Sequence, residues 1–498
     1  MVRVSALLLL FSPGLVGHPC ESCHAKEVAG YSHSAMARSL RRAGDEPQGE
    51  FTAAGARFII RSNRQGTWQR LERPGETSEY PVAYVIGSGK HAAGYLILIG
   101  DHLFQSPVCY YTTRRSYDLA PGYERIADPD FNRPVGEECV VCHSGQPLPV
   151  RGTANRYTPP IFAEEAISCE RCHGPTAEHL RRPVPGSIVN PAKLAPAARD
   201  SVCEQCHLAG VTRILNPGRS FEDFHAGQRL EEVFTVYTRA GAHAFKVISH
   251  VEQLALSACA RNSQGKLWCG TCHDPHPSSA PTFQTYNSRC QGCHQGALSK
   301  SHPVETNCVS CHMPRRQAQD GGHTVFTDHR ITRRPMPDEP ASPPEDLAAW
   351  REPDPSLQKR NLALAYINAG ISGRSPTQMV RGYRMLTEVQ RDTPDDAAVL
   401  KAIGRALLLG RQPAEARRAF ERVLQLTPES ASAEEDAGTA CLESGEIEEA
   451  VAHLERALTL DPLLLSAATA LQEAYRKQGR PEKADALAGQ MRAAMLGR

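Results

Sequence analysis

Apolar positions follow different rules in different parts of this 498-residue chain. Val2 to Phe11 are apolar apart from Arg3 and Ser5, and they run into Ser12-Pro13-Gly14 and small residues near Gly17. That is the pattern of a secretory signal peptide over residues 1–17, too short to span a bilayer. Arg57 to Asn63, Thr67 to Arg73, Tyr80 to Ile86 and Tyr95 to Ile99 are rich in β-branched and aromatic residues and are punctuated by Gly, Asn or Pro. They predict strands of a small β-rich insertion, about 50–115, with hairpins at Arg64-Gln65-Gly66 and Ile99-Gly100-Asp101. Cys139 to His329 shows little apolar periodicity and much Pro and Gly, so an ordinary side-chain core is not expected there. The prolines from Pro335 to Pro355 mark a semi-rigid linker over 335–355.

Beyond the linker the period changes again. Pro394, Pro428 and Pro462 stand 34 residues apart, the length of a tetratricopeptide repeat. In that register Leu400, Ile403, Gly404 and Leu407 on one helix meet Ala416, Phe420 and Val423 on the next. Ala437, Gly438, Cys441, Ala450, Leu454 and Ala457 repeat the arrangement, and Leu471, Tyr475, Ala484, Ala488 and Met491 close it. Small residues at Gly404 and Gly438 let helices approach, and Phe420 and Leu454 fill the space between them. Residues 356–498 are therefore expected to form an α-solenoid, with Cys441 a buried small hydrophobe. The fold class expected for the whole chain is mainly α: a domain over 18–334 carrying the β-rich insertion, then the solenoid.

The cysteines give the first domain its chemistry. Cys20-Cys23-His24, Cys139-Cys142-His143, Cys169-Cys172-His173, Cys203-Cys206-His207, Cys269-Cys272-His273, Cys290-Cys293-His294 and Cys308-Cys311-His312 all read C-x-x-C-H. Chance would supply on the order of 0.02 such copies. Zinc sites built on C-x-x-C pairs do not need a histidine after each second Cys, and a thioredoxin-like motif occurs once. The pattern is that of c-type haem attachment: two thiols bind the porphyrin and the adjoining imidazole is an axial ligand of its iron. Seven covalent haems are expected, with His24, His143, His173, His207, His273, His294 and His312 as proximal ligands. Burying seven porphyrins would replace the missing side-chain core. Lys plus Arg number 56 against 55 acidic residues, and no basic run suggests nucleic acid.

A second strong ligand closes an iron to substrate and leaves electron transfer, whereas an open position permits chemistry. Spare histidines are plentiful and methionines few, so bis-histidine ligation is the expectation. The distal candidates are His33, His91, His179, His250, His276, His302, His323 and His329. Cys109 and Cys259, outside both motifs and repeats, are either a disulfide in an oxidising compartment or two buried thiols.

Several stretches resemble the multihaem cytochrome c family of hydroxylamine oxidoreductase, its tetrahaem electron-accepting cytochrome, pentahaem nitrite reductase and octahaem tetrathionate reductase. They are Cys20 to Met36, Tyr117-Asp-Leu-Ala-Pro-Gly-Tyr123, Cys169-Glu-Arg-Cys172-His173-Gly-Pro175 with His179, Cys269-Gly-Thr-Cys272-His273-Asp-Pro-His276, and Cys311-His-Met-Pro314 with Asp328-His329-Arg330. The resemblance implies closely spaced parallel and perpendicular haem pairs. The chain departs from the catalytic members: it has no C-x-x-C-K motif, seven attachment motifs where hydroxylamine-oxidising members have eight, and no tyrosine that aligns with their cross-linking one. The expected protein is an exported, periplasmic electron carrier whose repeats dock a redox protein partner, with no nucleic acid and no membrane span in the mature chain. The alternative is an oxidoreductase acting on a small nitrogen or sulfur compound at one five-coordinate haem.

Overall fold

The computed structural model describes residues 18–239, 244–294, 307–333 and 345–496; the expected signal peptide, His302 and residues 335–344 of the proline-rich stretch lie outside them. The β-rich part is larger than the sequence suggests. Seven consecutive strands, Gly49–Ala53, Ala56–Asn63, Gly66–Arg73, Glu76–Ile86, Ala92–Ile99, His102–Tyr111 and Ser116–Leu119, form one antiparallel path. Leu40–Arg42 adds to the Glu76–Ile86 strand and Arg133–Pro134 to the His102–Tyr111 strand, making nine. Both expected hairpins form: Asn63 pairs with Gly66, and Ile99 with His102 across Gly100, whose φ of +61° glycine adopts without strain. The path curls so that its ends meet. Tyr117 donates its hydroxyl to the Pro47 carbonyl, and a Cβ at Gly49 would lie 2.9 Å from the Tyr117 ring.

The expectation of a small insertion in a mainly α chain is therefore corrected. The sheet owns a core of Phe58, Leu71, Tyr95, Ile97, Phe104, Val108 and Phe131, all buried, and it reaches from residue 40 to 134. Three of its strands have only two to four residues, too few to show a pattern in the sequence.

Between the sheet and the repeats the helices are short. The four helical hairpins that follow are long: Pro355–Gly373 with Pro376–Asp392, Ala397–Leu409 with Pro413–Leu426, Ala431–Ser444 with Ile447–Leu460, and Leu465–Lys477 with Pro481–Met495. A Cβ on Gly404 would lie 2.5 Å from the Phe420 ring, and one on Gly438 2.6 Å from Leu454. Close approach at these two positions requires glycine, and Cys441 is fully buried.

The proline-rich stretch is not free chain throughout. Leu347–Ala349 is the third strand of a sheet with Thr212–Leu215 and Phe234–Arg239, and Ile214 and Tyr237 share a core with Ala363, Tyr366 and Ile367. Asn361 Nδ2 donates to Asn216 Oδ1 at 3.0 Å, and Arg360 Nη1 to the Leu215 carbonyl at 3.1 Å. Leu463, between the last two hairpins, packs into the core of the large sheet.

One buried contact ties sheet to repeats. The His102 ring stands between two carboxylates, with Nδ1 2.8 Å from Asp101 and Nε2 2.7 Å from Asp461, and Asp461 is fully buried. A carboxylate has no hydrogen to give, so Nε2 donates to Asp461. Arg156 adds to the contact through Asp101 at 2.7 Å and the Leu460 carbonyl at 3.2 Å. His102→Leu strands Asp461 with only the Ala154 N–H at 3.0 Å. A loss of about 3–5 kcal/mol is expected from breaking such a pair, read as a lower denaturant midpoint of the full chain; an unchanged midpoint would assign the contact no weight.

Candidate functional site

Each C-x-x-C-H motif sits on one helical turn. His24, His173, His273 and His294 donate their backbone N–H to the carbonyl of the first cysteine of their own motif, at 2.8 to 3.0 Å. Cys23, Cys172 and Cys293 do the same at 3.2 Å. The two thiols of a motif thus leave neighbouring corners of a single turn, with the imidazole directly after them. In the fourth motif the turn ends the helix Pro196–His207, and in the sixth it begins within the last turn of Phe283–Gln291.

Motifs distant in sequence are neighbours in space. His18 and the thiols of Cys20 and Cys169 bring ligand atoms within 4.8 Å of one another. Cys142 Sγ lies 3.6 Å from the Gln205 carbonyl, Gln205 Nε2 donates to the Arg171 carbonyl at 3.1 Å, and Arg171 Nη2 donates to the Val141 carbonyl at 2.6 Å. The second, third and fourth motifs are laced together by these three bonds.

A cavity of about 3110 Å³ runs through this region, several times the ~300–1,000 Å³ that holds one small ligand. Cysteines of six motifs line it, all but the first, together with His143, His207, His273, His294 and His312. The helix Glu21–Ser32, which carries the first motif, contributes Ala29 and Gly30 and is followed by His33, and the sheet contributes Ile86, Gly94 and Cys109, with His91 in the turn between two of its strands. The wall is predominantly apolar. Burial pushes His207 down to about 4 and His250 to about 3, with neighbouring imidazoles adding to the shift. Burial also lowers His91, His143, His273, His276 and His329. The neutral imidazole is the form that ligates a metal.

The donor set fits haem. The Nδ1 atoms of His207 and His250 are buried without a hydrogen-bond partner, an arrangement that costs free energy unless something else engages the ring. Other rings are oriented from behind: His173 Nδ1 lies 2.8 Å from the Val189 carbonyl, His312 Nδ1 3.0 Å from Thr332, His329 Nδ1 2.9 Å from Thr327 and His33 Nδ1 2.8 Å from Ala29. A carbonyl accepting at Nδ1 fixes the tautomer and leaves Nε2 to bind a metal, the usual second layer of a metal site. Nothing in the sequence marks these carbonyls, because any residue type supplies one.

The distal candidates separate by place. His179 lies beside His24, His276 beside His173, and His329 beside His273; His250 touches both His207 and His329. His33 and His91 line the cavity, the latter with its ring 4.6 Å from that of Phe326. His323 does not line it: its Nε2 is 2.9 Å from Asp118 and its ring packs on Tyr111. Its neighbours in the sequence offered no sign of this, since Asp118 is 205 residues away. Cys109 sits in the sheet beside Tyr111 and Cys259 near Cys272 and Cys290, and both are thiols. Asp328, buried and paired with Arg330 at 2.6 Å, braces the loop that carries His329.

No protein-family model matches the chain. Among curated proteins it is similar to the nine-haem cytochrome c of Desulfovibrio desulfuricans, 23% identical over 214 residues, a match that spans 38% of this chain and 63% of the relative. Among solved structures, a crystal structure of MamA overlaps 25% of this chain and 73% of its own at 22% identity, with a TM-score of 0.24. A second MamA structure, AMB-1, covers 28% and 80% with a TM-score of 0.26. The likeness to the nine-haem protein supports a multihaem cytochrome.

Proposed function

We propose that this chain is an exported c-type cytochrome that holds seven haems at its seven motifs, each iron between two histidines, and passes electrons among them. One observation carries the reading. Motifs scattered from residue 139 to 312 open into a single apolar-walled cavity, whose buried neutral imidazoles suit ligation and no other task visible there. When bound, haem supplies one-electron chemistry at iron. The chain's own residues hold it: paired thiols anchor, an adjoining imidazole ligates, and backbone carbonyls set the ring's tautomer. The apolar wall excludes water, which limits reorganisation around each iron. Among the described residues no helix is long and apolar enough to cross a membrane. The repeats would offer a partner their exposed surface, since part of them is already engaged with the sheet.

Intact mass of the mature protein is expected to exceed that of the polypeptide by seven haems, all resistant to acid-acetone extraction. The oxidised protein should show low-spin ferric iron and the reduced protein should take up little carbon monoxide. A stoichiometric high-spin signal that shifts on adding nitrite, hydroxylamine or sulfite would overturn the carrier in favour of an oxidoreductase. A mass short of seven haems would overturn the count.

A further inference from the structure

Five histidine–histidine contacts occur among the described residues, and they fall into two geometric kinds. In the first kind the planes are near-perpendicular and the rings close: His207 and His250 have centroids 5.2 Å apart at 82°, His250 and His329 4.8 Å apart at 83°. These are edge-to-face contacts, within the usual range for touching aromatic rings. In the second kind the separation is larger and nearly constant, with planes closer to parallel. His24 and His179 stand 6.3 Å apart at 26°, His173 and His276 5.9 Å at 36°, and His273 and His329 6.2 Å at 36°.

Each pair of the second kind joins the histidine of an attachment motif to a histidine outside any motif, and no histidine is used twice. Two imidazoles bound to opposite faces of one metal, each by a bond of about 2 Å, have centroids roughly 6 Å apart. The orientation of the rings agrees. His173 Nδ1 is 2.8 Å from the Val189 carbonyl, His329 Nδ1 2.9 Å from the Thr327 carbonyl, and His179 Nδ1 2.8 Å from Ser187 Oγ. In one ring of every pair, then, Nδ1 is occupied and Nε2 is left for a metal.

The geometry points to three axial pairs: His24 with His179, His173 with His276, and His273 with His329. This inference rests on the multihaem reading and adds to it which chain segment closes which iron. It has a structural consequence. The second ligand at the first motif comes from just beyond the third, and that at the third from just beyond the fifth, so each site is completed only when distant segments meet. His250, in contact with both His207 and His329, then bridges the fourth motif to the ligand set of the fifth.

The test uses the full-length holo-protein and His179→Met, His276→Met and His329→Met, because a thioether also ligates iron and raises its potential. Each variant is expected to keep the wild-type haem mass while one haem takes on a histidine–methionine spectrum and a higher potential. Pairing is read from a second change. Removing the haem of the first motif by Cys20→Ala with Cys23→Ala should abolish the new signal of His179→Met, whereas removing that of the second motif by Cys139→Ala with Cys142→Ala should not. Should a methionine variant lose haem, the corresponding glycine variant grown and purified with imidazole is expected to recover it in low-spin form. A signal that survives loss of its assigned haem, no signal in any variant, or a glycine variant indifferent to imidazole overturns the pairing. Wild-type protein without haem, or without low-spin iron, overturns the function itself and is seen before any variant is made.

Discussion

A chain with Cys203 and Cys206 both replaced by alanine is expected to lose one haem and much of the stability of its centre. The fourth motif is where the others meet. Its Gln205 bonds the third motif through the Arg171 carbonyl and accepts from Cys142 of the second, and the thiols of Cys203 and Cys269 are in contact. Ser201, Glu204 and Gln205 on its helix are buried, so the segment has no exposed face onto which it could relax. A typical substitution costs about 1 kcal/mol, and loss of a bound group belongs to the short list of much larger effects. Against a total of about 5–15 kcal/mol, such a loss is enough to populate unfolded chain. Mass spectrometry and thermal unfolding of the purified protein read both changes. The same double change at Cys20 and Cys23, where Cys23 is exposed, should cost less. Equal losses at the two motifs would argue against a central place for the fourth.

A chain ending at residue 344 is expected to fail as a soluble holo-protein. The proline-rich composition suggested a boundary at which the repeats could be removed, but the buried groups cross it. Truncation deletes the strand Leu347–Ala349 from its sheet and uncovers Ile214 and Tyr237. It also leaves Glu204, 2% exposed, without Arg351 Nη2 at 2.7 Å and Trp350 Nε1 at 3.1 Å, and it takes Asp461 from His102. Burial already pushes the Glu204 carboxyl upward against the pull of Arg351. Leaving one member of a buried pair alone costs about 3–5 kcal/mol, and two such pairs are lost together with the shared apolar core. Soluble yield and haem content per polypeptide are the measurements. A truncated protein with full haem content and an unchanged unfolding temperature would show instead that the two parts fold independently.

The strands and repeats divide by how local their signals are. The hairpins at Gln65 and Gly100 follow from turn residues next to one another, and the helix pairs from a 34-residue period with glycine where Phe420 and Leu454 press in. The closure of the sheet was not visible, because it depends on Tyr117 reaching Pro47, 70 residues away. Its short edge strands carry no periodicity to read. Likewise Leu347–Ala349 lies close to prolines, and its pairing with Phe234–Arg239 wins over the local preference for extended linker.

What the sequence determined by itself is the geometry of the seven motifs: cysteines three apart with histidine next fall on one helical turn wherever the chain places them, because a turn is local. It also determined that spare imidazoles outnumber thioethers, with 20 histidines against 8 methionines in the chain. Which imidazole faces which motif was decided only by the tertiary structure. His323, eleven residues after the seventh motif, turns to Asp118, while His179 and His276 reach motif histidines 155 and 103 residues before them. The reason is physical. A neutral imidazole takes whichever partner the fold brings within a few ångströms, and that partner is set by the packing of segments that share no sequence pattern.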